Sequence, residues 1–256
     1  MGDLIKRLEN NIIELTQTCL IKRIIEAMGI VGANPKATPA ETEALAADKQ
    51  RDPTEATFNY ASIVGMLQYL QGHTRPDIIF AVSQCSRYIH RHINMHITAL
   101  KRIGRYLLQS SEKGIILQPT PETSINCYVD ADFAGLWNQE DQNDENCVKS
   151  RTGYVICMSN CPVLWITCLQ EGIALSTMEA EYVALSMAML GLLPLKRLIQ
   201  SIFTGVGIGK DQQFNIHCNV FKDNVGALAL AKLELPWMKP RSKHFMPSNI
   251  TGFGLI

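Results

Sequence analysis

The 256-residue chain has no excess of either charge: 24 Lys plus Arg stand against 24 Asp plus Glu. A global basic field, of the kind that lets a freestanding protein coat nucleic acid, is thereby excluded. No run approaches the ~20 consecutive apolar residues that a membrane span needs. The opening MGDLIKRLEN carries acids and no apolar core, so it does not read as a signal peptide. Paired C-x₂-C motifs are missing too, and His217 and Cys218 are adjacent, a poor chelate. The eight cysteines (19, 85, 127, 147, 157, 161, 168 and 218) therefore read as reduced cytosolic thiols, not as a disulfide framework or a zinc site. On strand parity Cys157 alternates with Val155, as a small core residue would. What these absences leave is an intracellular chain with room for more than one folded unit.

One absence is local. No Asp or Glu occurs between Asp77 and Glu112, whereas Arg87, Arg91, Lys101, Arg102 and Arg105 do, with His90, His92 and His96. Such a stripe suits phosphate contact; a solvated helical face accounts for it equally well. The shorter run of Lys239, Arg241, Lys243 and His244 carries the same two readings.

Hydrophobic period organises the rest. Leu20, Ile21, Ile24, Ile25 and Met28 recur at helical spacing, with Gly29 as a stop and Thr16 or Thr18 as a cap. Residues 34–58 hold three prolines and no period, which reads as a linker. From 59 to 117 the pattern is helical: YASIVGMLQYLQ, then a helix opened by Pro76-Asp77 and running through IIFAVSQCSRYIH, then MHITALKRIGRYLLQ.

Past Pro119 the texture turns to strands. INCYVDADF, SRTGYVICM and PVLWITC are short, β-branched or aromatic, and closely connected, so they form an antiparallel set. Trp165 and Tyr154 read there as sheet-packing aromatics. The long helical stretch STMEAEYVALSMAMLGLLPLKRLIQSIF follows, interrupted at Pro194. GVGIG comes after this helix and not after a strand, so it reads as a turn and not as a phosphate loop. FNIHCNVFKDN is a fourth strand and NVGALALAKL a helix. The order β-β-β-α-β-α gives an α/β domain with a mixed sheet, because a strand reached through a helical crossover lies parallel to its neighbour.

Three acids occupy matching places in that scheme. Asp130 ends the first strand, Glu181 lies one turn into the long helix, and Asp223 ends the fourth strand. Strand ends and an adjacent first turn converge at one rim of such a sheet. Carboxylates that meet there repel unless a cation holds them. Hard oxygen ligands select Mg²⁺ or Mn²⁺, and a pair of such ions clamps both oxygens of a phosphodiester displacement. Glu179 sits roughly 200° around the helix from Glu181, so only Glu181, on the apolar stripe with Met178, Ala184, Leu185, Ala188 and Leu192, faces the sheet. Glu179 is left as a solvated companion, and Asp132 as a turn residue or an outer neighbour of the site.

The blocks YASIVGMLQYLQGHTRPDIIFAVSQCSRY, YVDADFAG, SRTGYV, ALSTMEAEYVAL and KDNVGAL resemble the C-terminal end of the polyprotein of copia-type LTR retrotransposons, over about residues 12–244. The resemblance implies a division into the end of a reverse transcriptase (1–33), a linker (34–58), a helical connection (59–117), a ribonuclease H-like domain (118–245) and an aberrant tail (246–256). It implies that Asp130, Glu181 and Asp223 are the first three carboxylates of a two-ion site. The reaction implied is hydrolysis of the RNA strand of an RNA–DNA hybrid, leaving 3′-hydroxyl and 5′-phosphate ends. Implied partners are that hybrid and the reverse transcriptase portion of the parent polyprotein; the implied setting is a cytoplasmic retroelement particle or the nucleus.

Departures qualify that expectation. RSKHF agrees with the family as far as His244, but Met246 stands where its motif has Asp. The expectation is a domain that stops before its last strand and fourth acid, with impaired hydrolysis and an exposed apolar surface around Leu228, Leu230 and Leu233. The polymerase's paired aspartates lie upstream of the residues present, so polymerisation by this chain alone is not expected. A non-catalytic remnant that at most binds nucleic acid is the alternative. Integrase-type strand transfer would need a late Glu, and Glu234 is the one available.

Overall fold

A computed structural model describes residues 4–41, 45, 53–137, 145–207 and 216–232. The chain divides into two compact units, one drawn from Met1–Gln118 with Leu136–Cys147, the other from Pro119–Gly135 with Val148–Ile256.

The first unit opens with β1 (Leu4–Arg7) and β2 (Ile13–Thr16), an antiparallel hairpin whose other neighbour is β3 (Ile115–Leu117). Asn10 and Asn11 turn the hairpin at φ of 58° and 60°, a region asparagine enters more readily than most residues. The helices are α1 (Thr18–Ala27), α2 (Tyr60–His73), α3 (Ile79–Ser86) and α4 (Asn94–Gln109). Ile21, Ile24, Ile63, Leu67, Ile78, Leu100 and Ile103 are buried in one core. Neither threonine caps α1. Gln17 holds that place with no side-chain cap bond, and its Oε1 accepts from Thr74 Oγ1 at 2.9 Å. Thr16 is spent on β2 instead. Gly29 does stop the helix, at φ 64°, a conformation that suits a residue with no Cβ. The helix expected after Pro76 is a short 3₁₀ turn and then α3, which ends at Ser86. Asn59 caps α2, its side chain accepting from Ser62 N at 2.9 Å.

The second unit contains β4 (Ser124–Asp132), β5 (Arg151–Met158), β6 (Cys161–Leu169), α5 (Thr177–Gly205), β7 (His217–Phe221) and α6 (Val225–Lys232). Its sheet runs β6-β5-β4-β7, antiparallel except that β7 is parallel to β4. This is the mixed sheet and the β-β-β-α-β-α order expected of a ribonuclease H-like domain, with which the fold is compatible. Ile125, Cys127 and Val129 turn inward and meet their cross-strand neighbours Ile156 and Tyr154 and the buried face of α5, Ala184, Leu185, Ala188 and Leu192. Gly191 lets α5 lie close to the sheet: a Cβ there would stand 2.8 Å from Tyr154 Oη.

Three readings of this unit need correction. The parity of β5 is the reverse of the one that put Cys157 in the core: Tyr154 and Ile156 are buried, Val155 is exposed and Cys157 half-buried. The register Cys127↔Ile156 fixes this, since the side-chain period of two leaves no intermediate choice. Helix α5 also runs unbroken through Pro194. Proline costs a helix interior about 3 kcal/mol, but Pro194 is exposed and buried Leu192 and Ile199 hold the helix on both sides of it. Thirdly, α5 is long and apolar enough to cross a membrane by length and composition. Criteria of consecutive apolar residues miss this because the run that starts after Glu181 stops at Lys196 and Arg197; one face of the helix is the core of this unit. Leu228 is half-buried, and the side chains of Leu230 and Leu233 lie outside the described residues.

Candidate metal centre

Asp130 is near the C-terminal end of β4, and Asp223 follows the C-terminal end of β7. Because the two strands are parallel neighbours, these ends share one edge of the sheet, where open α/β sheets collect their ligands. Helix α5 supplies the third group. Its start is fixed by a cap and a second bond beside it: Ser176 Oγ accepts from Glu179 N at 3.1 Å, and Glu179 Oε2 accepts from Leu175 N, the residue before the cap, at 2.9 Å. Buried Gln170 then ties the end of β6 to α5, donating to Ala180 O at 2.8 Å and to Thr152 Oγ1 at 3.1 Å. The next residue is Glu181, buried and aimed at the sheet edge.

One ligand oxygen from each of Asp130, Glu181 and Asp223 lies within 4.8 Å of the others. Oxygens bound to one Mg²⁺ at about 2.0–2.1 Å are at most about 4.2 Å apart, so small side-chain movements suffice for this set to share an ion. The donors, all carboxylate, also fit Mg²⁺ or Mn²⁺ chemically. Asp130 and Asp223 are exposed and reach solvent; Glu181 is the internal member.

A cation already stands among them. Lys222 is fully buried at its side chain, and its Nζ pairs with Glu181 Oε2, lies 3.5 Å from Asp130 Oδ1 and 3.4 Å from Asp223 Oδ1, and donates to Val129 O at 3.2 Å. Burial pushes the Glu181 carboxyl above its ordinary range; the hydrogen bond and charge of Lys222 oppose that, and the charges of Asp130 and Asp223 add to it. Sequence reasoning missed Lys222. The signal was parity: Lys222, one residue past β7, continues the inward side of Val220, which is also buried.

The other predicted residues are placed as follows. Asp132 is exposed at the end of β4, and its carboxylate lies against Gly135, where an added Cβ would collide with it. Arg87, Arg91, Lys101, Arg102 and Arg105 all belong to the first unit. The Arg87 guanidinium lies 5.3 Å from the Tyr88 ring centre and the Lys101 ammonium 5.8 Å from that of Phe58; Arg91 is exposed. Arg102 pairs with Glu41 at 2.7 Å and bonds Thr38 twice, and Arg105 Nε donates to Asn34 O at 2.5 Å. The stretch read as a linker thus has described residues laid on α4. His92 and His96 stack on Tyr60 and Tyr88. Lys243 and His244 lie outside the described residues.

No family model and no solved structure matches the chain. Curated proteins do. The Retrovirus-related Pol polyprotein from transposon RE1 of Arabidopsis thaliana is 33% identical over 91% of this chain, and that from transposon RE2 is 34% identical over 91%. The corresponding polyprotein of transposon TNT 1-94 from Nicotiana tabacum is 31% identical over 90%. The chain spans only 14–16% of the length of these relatives. With likeness over nine-tenths of its residues, the chain matches one stretch of the Pol polyproteins of copia-type retrotransposons.

Proposed function

We propose that the second unit is a ribonuclease H-type module, hydrolysing the RNA strand of RNA–DNA hybrids during reverse transcription of its parent element. The observation that supports this reading is the convergence of Asp130, Glu181 and Asp223, distant in sequence, within 4.8 Å at one sheet edge. These three residues would hold Mg²⁺ or Mn²⁺, of which the reaction uses two. Metal held there would supply activation of the attacking water and stabilisation of the leaving oxygen of the phosphodiester. The chain's own contribution is placement. Glu181 is held rigid by the capped, Gln170-tethered start of α5, while exposed Asp130 and Asp223 open the site to a backbone phosphate in solvent. The basic stripe of Arg87, Arg91, Lys101, Arg102 and Arg105 is taken for phosphate contact, with Arg102 and Arg105 also bonded to residues 34–41. The reading takes the hybrid and the reverse transcriptase portion of the polyprotein as partners, within a cytoplasmic retroelement particle.

Lys222 favours a second reading, a remnant that binds nucleic acid without cleaving it, because an ammonium already neutralises part of the centre. One assay separates the two. Purified chain is incubated with labelled hybrid and Mg²⁺ beside an Asp130→Asn control. Cleavage that the substitution abolishes is expected on the first reading; salt-sensitive binding without cleavage establishes the second.

A further inference from the structure

We infer that the Lys222 ammonium is a built-in competitor for the metal centre, and that a divalent ion binds only by expelling it. The inference rests on the metal reading of the preceding section and specifies its regulation. Four contacts converge on Nζ: three carboxylates at one sheet edge and the carbonyl of Val129. An ammonium in that position is bound to the same oxygens a metal needs. Each carboxylate oxygen turned toward Nζ is withdrawn from an incoming ion, and the two cations repel strongly at a separation of a few ångströms in a partly desolvated site. The two cannot share the centre.

The geometry also gives the ammonium a way out. Its partners Asp130 and Asp223 are exposed, so the long lysine side chain has solvent next to its present place. Charge favours the exchange once metal is abundant. One ammonium leaves two of the three negative charges unmatched, whereas a divalent ion in its place leaves one, and the released ammonium pairs with water. The centre is therefore a threshold device: held by the ammonium at low metal, taken by a divalent ion at high metal.

Mn²⁺ binding to the full chain is measured by calorimetry for the unaltered protein, for Lys222→Gln and for Asp130→Asn. In parallel, the accessibility of Lys222 in the unaltered protein is followed by reductive methylation and mass spectrometry, with and without saturating Mn²⁺. The expected result is that Lys222→Gln tightens Mn²⁺ binding by about tenfold or more, as removal of a paired like charge should. Asp130→Asn weakens binding, and Lys222 passes from protected to labelled when Mn²⁺ is added. Equal affinities with Lys222 still protected at saturating Mn²⁺ would overturn the competition and leave the metal reading standing. Absence of Mn²⁺ binding in both the unaltered chain and Lys222→Gln would overturn both. Should Lys222→Gln fail to fold, the labelling of the unaltered chain decides by itself.

Discussion

Arg75 and Lys222 are both buried cations facing carboxylates, yet they differ in charge balance. Among the described residues Arg75 meets a single carboxylate: Nε and Nη2 bond Asp77 at 2.9 and 2.7 Å, Nη1 donates to Ser110 O and Nη2 to Ser110 Oγ, each at 2.8 Å, and the guanidinium lies 5.5 Å from the Tyr106 ring centre. One charge is matched by one, and the planar donors are used in the bidentate geometry that suits them. Lys222 meets three carboxylates with one charge. A balanced pair has no reason to recruit anything further. An unbalanced cluster does, and this difference separates a structural ion pair from a site.

The largest effect should come from breaking the balanced pair. Asp77→Ala leaves a guanidinium that is 2% exposed without its charge partner. Removing one partner of a fully buried pair costs about 3–5 kcal/mol. Asp77 is itself 38% exposed, so solvent screening brings the expected loss to about 2 kcal/mol. Urea unfolding followed by circular dichroism measures it. A change below the experimental error would mean that Ser110 and Tyr106 alone satisfy Arg75, and the comparison would lose one of its two sides.

The acid dependence of stability should have opposite signs in the two regions. Burial alone would raise Asp77, but hydrogen bonds from Arg75 and Tyr106 and the charge of Arg75 outweigh it and hold the carboxyl below its ordinary 3.8. A depressed carboxyl contributes stability that is present above its unfolded value and lost as pH falls through the folded one. Glu181 is raised above its ordinary 4.5, chiefly by burial. Its contribution is present below 4.5 and lost as pH rises from there through the folded value. With chelator present, Asp77→Asn should flatten the acid limb of a stability–pH profile, and Glu181→Gln should flatten the decline on its other side. Parallel profiles for the two variants would show that charge balance does not distinguish the regions.

The same contrast explains what could be read before any coordinates. Asp130, Glu181 and Asp223 were legible because strand ends and helix spacing are local properties, and parallel pairing turns them into one edge. Lys222 was not, because a lysine beside an aspartate reads as a surface pair; only the inward parity of Val220 and Lys222 marks it as buried. The phase of β5 was lost for a related reason: Val155 and Cys157 are as apolar as Tyr154 and Ile156, so the register with β4, and not composition, chooses the face. Strands β1, β2 and β3 have only three or four residues each, and their pairing joins Ile13 to Leu117 across most of the first unit. The motif S-x-x-E at Ser176–Glu179 is also present in the sequence and marks the start of α5.

That motif supplies the smallest test. Glu179 and Glu181 are two residues apart, one accepting from the Leu175 backbone N–H and the other buried against Lys222. If the division of labour is real, Glu179→Gln weakens the first turn of α5 by about 0.5 kcal/mol, through loss of a charge near a helix N-terminus. Mn²⁺ affinity should stay unchanged, because Glu179 has no oxygen in the cluster. Glu181→Gln should do the converse, weakening Mn²⁺ binding while leaving the cap intact. Calorimetry on the two variants reads both quantities. Equal losses of metal affinity would mean that the helix start controls the centre as much as the buried carboxylate does, since a first turn frayed by Glu179→Gln would displace Glu181 as effectively as its own substitution removes it.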